Sequence, residues 1–210
     1  MSDVVHDIPV DGVRLEGELV VPAGAEGLVV FAHGSGSSRH SPRNNYVAEV
    51  LRERDLGTLL FDLLTEAEDT DRENRFDVPL LTDRLLAVTD WLDGREETAD
   101  LAKGYFGSST GAAAALRGAA RRPDVAAVVS RGGRVDMASE ALGDVEAATL
   151  FVVGGDDEQV LALNREAHEA LDCEKELSVV EGAGHLFDGP GELEEVAGLA
   201  ADWFQRHLAG

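Results

Sequence analysis

Three residues have the side-chain types that nucleophilic catalysis needs, and each follows an apolar, strand-like run of the sequence. The first is Ser109, at the centre of Gly107-Ser108-Ser109-Thr110-Gly111, between the apolar run 101–106 and an alanine-rich segment that favours a helix. A G-x-S-x-G turn between strand and helix exposes the serine hydroxyl, and its two glycines let the helix approach the strand closely. The pattern predicts a nucleophilic serine, although a serine that only caps the helix fits the pentapeptide equally well.

A carboxylate and an imidazole follow later strand-like runs. Asp156 and Asp157 come after the run 149–153, and His185 comes after the run 176–180. A neutral imidazole can take the serine proton during attack and return it to the leaving group, while a carboxylate fixes the imidazole tautomer. Taken singly, Asp157 fits a helix cap and His185 fits a loop hydrogen-bond donor. Taken together with Ser109, they predict a Ser-His-Asp triad, with either carboxylate as its acid.

The developing oxyanion needs donors that are already in place. We expect these to be the backbone N–H of Thr110, at the start of the helix after the serine, and that of Ser35, in the Gly- and Ser-rich loop 33–38. His33 begins the same loop, but it precedes the nucleophile at a strand end, so a structural role is expected for it.

Two arginines follow the apolar run 125–129 and are candidates for binding the substrate. Arg131 and Arg134 can each hold a carboxylate bidentately, and the alternative is that they pair with nearby acids such as Asp136 or Glu140. Arg43, after the loop 33–38, is a weaker candidate of the same kind.

The elements that must position these residues alternate along the chain. An antiparallel hairpin is predicted over 4–21 around Asp11-Gly12, and the segment 65–77 is predicted to be an exposed loop. Apolar runs predict strands at 27–32, 56–61, 101–106, 125–129, 149–153 and 176–180, and helical spacing predicts helices at 42–54, 80–92, 112–121, 161–171 and 192–208. This order predicts one α/β domain over residues 1–210, with a mostly parallel sheet, helices on both faces and no cap domain.

Charge excludes several kinds of partner. With 41 acidic and 18 basic residues the net charge is −23, which repels nucleic acid and anionic membranes. An acidic chain whose only lysines are Lys103 and Lys175 is typical of a protein that works in high salt. Cys173 is the single cysteine, so the sequence predicts no disulfide framework and no Cys/His metal spacing, and the predicted triad needs no metal or cofactor. The N-terminus 1–7 has no signal-peptide pattern, and we expect a cytoplasmic monomer or small homo-oligomer.

The sequence resembles the α/β-hydrolase superfamily over nearly its whole length, and within it small dienelactone-hydrolase-related proteins. The segments that carry the resemblance are 31–44, Gly104–Gly111, Ser130-Arg131-Gly132-Gly133-Arg134, Val153-Gly154-Gly155-Asp156-Asp157 and Gly184-His185. In that family a Gly-Gly-x-Asp pattern supplies the acid, which matches Asp157 rather than Asp156. Authentic dienelactone hydrolases carry a cysteine nucleophile where this sequence has Ser109.

The residues and the resemblance together predict a serine hydrolase that cleaves small carboxylic esters through an acyl-enzyme. The short segment 131–147 leaves no room for a lid, so an open site and a small substrate are expected. Thioester or lactone hydrolysis by the same residues is one alternative, and a non-catalytic binding or scaffold protein on the same fold is another.

Overall fold

The strands of the protein form one eight-stranded sheet, in the order β1-β2-β4-β3-β5-β6-β7-β8. The computed structural model describes residues 4–209, so Met1, Ser2, Asp3 and Gly210, which the single-domain prediction included, lie outside the described residues. The strands are β1 Val4–Val10, β2 Val13–Val20, β3 Gly27–Ala32, β4 Leu56–Phe61, β5 Ala102–Ser108, β6 Val125–Arg131, β7 Ala148–Gly154 and β8 Lys175–Val180.

Helices cover both faces of this sheet. They are α1 Pro42–Arg52, α2 Glu66–Asp69, α3 Arg72–Phe76, α4 Val78–Asp93, α5 Thr110–Arg121, α6 Glu158–Ala170 and α7 Glu192–Leu208, with a 3₁₀ segment at Val135–Asp144. Successive residues of a strand point to opposite faces. Val128 accordingly packs on the face covered by α4 and α5, and Val129 on the face covered by α1 and α7. The predicted α/β class, with helices on both faces, is confirmed.

The first two strands form the predicted antiparallel hairpin at the edge of the sheet. Asp11 and Gly12 connect them with φ values of 43° and 84°, the positive angles that a tight hairpin turn of primed type needs. β2 pairs antiparallel with β4, and every later pairing is parallel. The carboxyl ends of β3, β5, β6, β7 and β8 therefore lie along one edge, where the loops with candidate residues follow.

The prediction of an exposed loop over 65–77 is wrong, because this segment contains α2 and α3. Thr65 and Glu68 form a reciprocal capping box at the start of α2, and Asp71 caps α3. Neither helix has a buried residue, so no apolar stripe marked them in the sequence. Hydrogen bonds from polar capping residues, rather than an apolar face packed on the core, stabilise the two helices.

Between β6 and β7 the chain forms only the ten-residue 3₁₀ segment. Val135, Ala138 and Leu142 of this segment are buried against the domain, and no cap domain is present within residues 4–209. Across the same described residues, no helix has both the length and the apolar character that crossing a membrane requires.

Candidate active site

Ser109 lies in a strained turn between β5 and α5. Its φ of 51° is rare for a residue with a side chain, and such angles persist only where the surroundings enforce them. A Cβ atom on Gly107 would collide with Ala112, and one on Gly111 would collide with the carbonyl oxygen of Ala32. Within the described chain the Ser109 side chain makes no capping hydrogen bond to α5. The turn thus holds a serine whose hydroxyl is not used by the helix.

His185 and Asp157 are joined by a short hydrogen bond across 28 residues of sequence. His185 Nδ1 lies 2.6 Å from Asp157 Oδ2, and the two side chains are 41% and 15% exposed. Asp157 precedes α6 without capping it within the described chain, whereas Asp156 is exposed and its N–H donates to the carbonyl of Ala183. A carboxylate at Nδ1 favours the tautomer with the proton on Nδ1, which leaves Nε2 able to accept a proton.

The segment after β6 lies against both Ser109 and His185. Ser109 N–H donates to the carbonyl of Arg131 at 3.1 Å, and Arg134 N–H donates to the carbonyl of Ser109 at 3.0 Å. Gly132 has a φ of 52°, and a Cβ atom there would be 3.3 Å from Cε1 of His185. This segment brings the loops of Ser109 and His185 together. Gly132 was not predicted to have a role in the site. The feature of the sequence that marks it is the pair of glycines directly after a buried strand.

Asn164 of α6 holds the segment after β6 through its side chain. Its buried side-chain amide donates to the carbonyl of Gly133 at 2.9 Å and to that of Val160 at 2.8 Å. Gly133 itself has no room for a side chain, since a Cβ atom would collide with Ser130 Oγ. The conformation of the segment is therefore determined by tertiary contacts.

Arg43 holds the loop that carries His185. Its Nε donates to the carbonyl of Leu186 at 2.8 Å, and its Nη2 lies 2.6 Å from Asp188 Oδ1. Phe187 in this loop is buried and has a φ of 53°. The sequence offered Arg43 as a weaker candidate for binding the substrate. In this structure its guanidinium instead binds the loop that follows His185.

The loop predicted to supply an oxyanion donor lies directly against Ser109. A Cβ atom on Gly34 would be 3.3 Å from Ser109 Cβ. The N–H of Ser35 donates to Thr110 Oγ1 at 2.9 Å, and Thr110 is almost fully buried. Donation by Ser35 to an oxyanion therefore requires this bond to open or to be shared. The N–H of Thr110 belongs to the first turn of α5, where amides lack intrahelical partners.

His33 is bonded to the backbone on both ring nitrogens. Its Nε2 accepts from Leu63 N–H at 3.0 Å, which assigns the proton to Nδ1, 2.9 Å from the carbonyl of Gly34. Burial lowers the pKa of His33 below its ordinary value, and the bond to Gly34 opposes this more weakly. The neutral ring joins the loop after β3 to the loop after β4, which is the structural role expected for it.

The two candidate substrate arginines lie in different environments. Arg134 is partly exposed and makes two hydrogen bonds to Asp136, at 2.9 and 2.8 Å. This is the pairing with a nearby acid that the sequence offered as the alternative to substrate binding. Arg131 is 9% exposed, and its Nε and Nη1 have no hydrogen-bond partner among the described residues. Burial, with a smaller contribution from the Arg43 guanidinium, lowers the pKa of Arg131 to about 10.

A large cleft lies to one side of these residues. It has a volume of about 690 Å³ and sits beyond His33, over the ends of β2 and β4. Neither Ser109 nor His185 lines it, so this cleft is separate from the two residues. Among the described residues, no group of three or more His, Cys, Asp or Glu side chains is arranged to hold a metal ion.

No protein-family model matches the sequence. Two Mycobacterium tuberculosis proteins, from strains CDC 1551 and H37Rv, carry the provisional name phosphoribosyl transferase and are each 57% identical over 199 residues. The match includes 94% of this chain but only 45% of each relative, so the chain spans less than half the length of these curated relatives.

Solved structures match over the full length. Est1E from Butyrivibrio proteoclasticus, 18% identical, covers 100% of both chains with a TM-score of 0.84 and shares the fold. A dienelactone hydrolase from Anabaena variabilis is 51% identical, with a TM-score of 0.96 over 99% of this chain and 98% of its own. At that identity and mutual coverage the chain belongs to the dienelactone-hydrolase-related family of the α/β-hydrolase superfamily.

Proposed function

We propose that this protein is a serine hydrolase that cleaves small carboxylic esters through an acyl-enzyme. Ser109 is the nucleophile, His185 the general base and acid, and Asp157 the carboxylate that orients the imidazole. The observation that carries the proposal is the 2.6 Å bond from His185 Nδ1 to Asp157, on the same sheet edge as the strained turn of Ser109. Membership of a hydrolase family supports the reaction type.

The proposed reaction moves one proton in each half. Ser109 Oγ attacks the ester carbonyl carbon while its proton passes to Nε2 of His185. The tetrahedral intermediate collapses as His185 gives that proton to the leaving alkoxide, which departs as the alcohol. Water then attacks the acyl carbon while His185 takes one of its protons. His185 passes that proton to Ser109 Oγ as the bond between Oγ and the acyl carbon breaks, which releases the carboxylic acid and free Ser109.

The oxyanion of each tetrahedral intermediate needs at least one donor in place. The N–H of Thr110, at the positive end of α5, is suited to this because the dipole of a helix favours negative charge at its N-terminus. We propose the N–H of Ser35 as the second donor, released from or shared with Thr110 Oγ1 as negative charge develops.

A fluorophosphonate probe tests this proposal, since it reacts with activated serines. We expect labelling of the wild-type protein and none of Ser109→Ala. The matched control is Ser108→Ala, which removes the neighbouring buried hydroxyl, bonded to Asn44, and should retain labelling. Failure of the folded wild-type protein to react would favour a non-catalytic binding or scaffold protein on this fold.

Lactone hydrolysis is a second candidate, favoured by the 51% identical dienelactone hydrolase. The same residues can open a lactone or a thioester, since each reaction passes through an acyl-enzyme. Values of kcat/KM measured on matched ester, thioester and lactone substrates show which of the three reactions the protein catalyses best. The transferase name of the mycobacterial relatives belongs to proteins of which more than half lies outside the match with this chain.

We propose a small ester as the partner of this site and expect neither nucleic acid nor a membrane to bind a chain with net charge −23. Fractionation of cells that express the full-length protein tests the expected cytoplasmic location. Gel filtration with light scattering tests whether it is a monomer or a small homo-oligomer.

A further inference from the structure

Arg131 is a charged side chain placed where a folded protein rarely leaves one unpaired. It ends β6 and points to the face of α1 and α7, like Val129 two residues before it. Only 9% of the residue is exposed, and Nε and Nη1 find no hydrogen-bond partner among residues 4–209. Since a buried polar group normally has a partner, these two donors need an explanation.

Other arginines with little exposure are each paired with a carboxylate. Arg39 binds Glu16 and Asp62, Arg84 binds Glu68, and Arg122 binds Asp90, Asp93 and Asp124. The chain has 41 acidic residues against 18 basic ones, so acids are not scarce. The charged group that acts on Arg131 is instead a second cation, Arg43, whose Nη2 is bonded to Asp188.

The guanidinium is therefore charged and lacks a counter-charge in the described chain. A pKa of about 10 leaves it protonated at neutral pH. A buried charge is unfavourable unless it is paired, and a guanidinium fork matches the two oxygens of a carboxylate or phosphate. The backbone of the same residue accepts the N–H of Ser109, which puts the guanidinium within one side chain's length of the nucleophile's turn.

We propose that Arg131 is the anchor of an anion-binding site at the active edge of the sheet, which holds a carboxylate or phosphate group of the substrate. The catalytic part of this inference rests on the serine hydrolase proposed above. A free inorganic anion would bind by the same chemistry, so the experiment must separate the two sources.

The kinetic experiment compares two esters on three proteins. The esters are p-nitrophenyl butyrate, which is neutral, and p-nitrophenyl hydrogen succinate, which carries a carboxylate. The proteins are the wild type, Arg131→Met, and Arg121→Met. The last of these loses the same charge from α5, where Arg121 forms an exposed ion pair with Asp83 of α4. We expect Arg131→Met to lower the succinate-to-butyrate ratio of kcat/KM by about tenfold or more through KM, and Arg121→Met to leave the ratio unchanged.

The binding experiment needs no turnover and uses Ser109→Ala as the background. Thermal unfolding is followed with added succinate or sodium phosphate, at constant ionic strength set with sodium chloride. We expect each anion to raise the melting temperature of Ser109→Ala but not that of Ser109→Ala/Arg131→Met. In buffer without these anions, Arg131→Met should be at least as stable as the wild type, because it removes an unpaired buried charge.

The outcomes are distinguishable. A fall in the ester ratio together with anion-dependent stabilisation supports a substrate-borne group, and stabilisation with an unchanged ratio supports a free anion at the same site. If the wild type hydrolyses neither ester, the proposed function fails while the binding experiment still decides on the site. No stabilisation by either anion and an unchanged ratio would overturn the inference, as would a marked loss of stability in Arg131→Met, which would reveal an internal partner.

Discussion

Replacing Asp157 with Asn tests the arrangement of the active site most directly. Asn has the shape of Asp but carries no charge, and its amide can donate to Nδ1 and so favour the wrong imidazole tautomer. The wild-type bond is 2.6 Å long and Asp157 is 15% exposed, so the change removes a short, charge-assisted contact.

The size of the effect follows from the positive charge that His185 gains in the transition state of the proposed reaction. Opposite unit charges about 4 Å apart attract by about 4 kcal/mol at an effective dielectric constant of about 20, or roughly a thousandfold in rate. Loss of the correct tautomer raises the expected effect to about 10⁴ in a fully enclosed triad. His185 is 41% exposed, so water partly replaces the carboxylate, and we expect a loss of about 10²–10⁴ in kcat.

The assay is hydrolysis of p-nitrophenyl butyrate from pH 6 to 9, with circular dichroism as a check on folding. The matched control is Asp156→Asn, which removes an exposed carboxylate from the same turn and should stay within about threefold of the wild type. A folded Asp157→Asn protein with kcat within tenfold of the wild type would refute the assigned role. So would a larger loss in Asp156→Asn.

Three further predictions concern the supporting structure. Gly132→Ala should lower kcat/KM by about tenfold or more, because the added Cβ lies 3.3 Å from His185 Cε1. The control is Gly24→Ala, at φ 84° with open space around it, which should lose a similar amount of stability but keep its activity. Equal loss of activity in both variants would contradict this. Raising NaCl from about 0.05 to 2 M should raise the melting temperature by about 10 °C if the charge of −23 destabilises the fold, and an unchanged value would count against adaptation to high salt. The pKa of His33 is lower in the folded protein than in the unfolded chain, so the unfolded chain binds more protons and the free energy of unfolding falls as pH drops below about 6.5. His33→Gln should weaken this fall, and the same pH dependence of the unfolding free energy in both proteins, measured by urea titration, would exclude the prediction.

The strands and most helices were predictable because their signals are local. Largely apolar runs marked β3 and β4 to the residue, since strands buried on both faces contain few polar side chains. The glycines of the Ser109 turn were equally informative, because only glycine allows Gly107 and Gly111 to approach their neighbours so closely. α2 and α3 were not predicted, because caps rather than an apolar face stabilise them and the sequence shows no apolar periodicity there.

The ion pairs of the arginines could not be predicted in the same way. Arg134 takes a partner two residues away, which the sequence offered as an alternative. Arg43 reaches the loop of His185 across more than 140 residues, and nothing in its local sequence indicates that contact. The bond from Ser35 N–H to Thr110 Oγ1 likewise spans 75 residues.

The sequence by itself determined the order of strands and helices, the strained turn at Ser109 and the residue types available at the carboxyl edge of the sheet. These depend on apolar periodicity and on the space that glycine leaves, which neighbouring residues decide. The family pattern favoured Asp157 over Asp156, and the tertiary structure shows its contact with His185. Only the tertiary structure decided that Gly132 lies against the imidazole and that Arg131 has no counter-charge among residues 4–209. Each of these depends on the distance between groups far apart in the chain, and the packing of the sheet and its helices sets that distance.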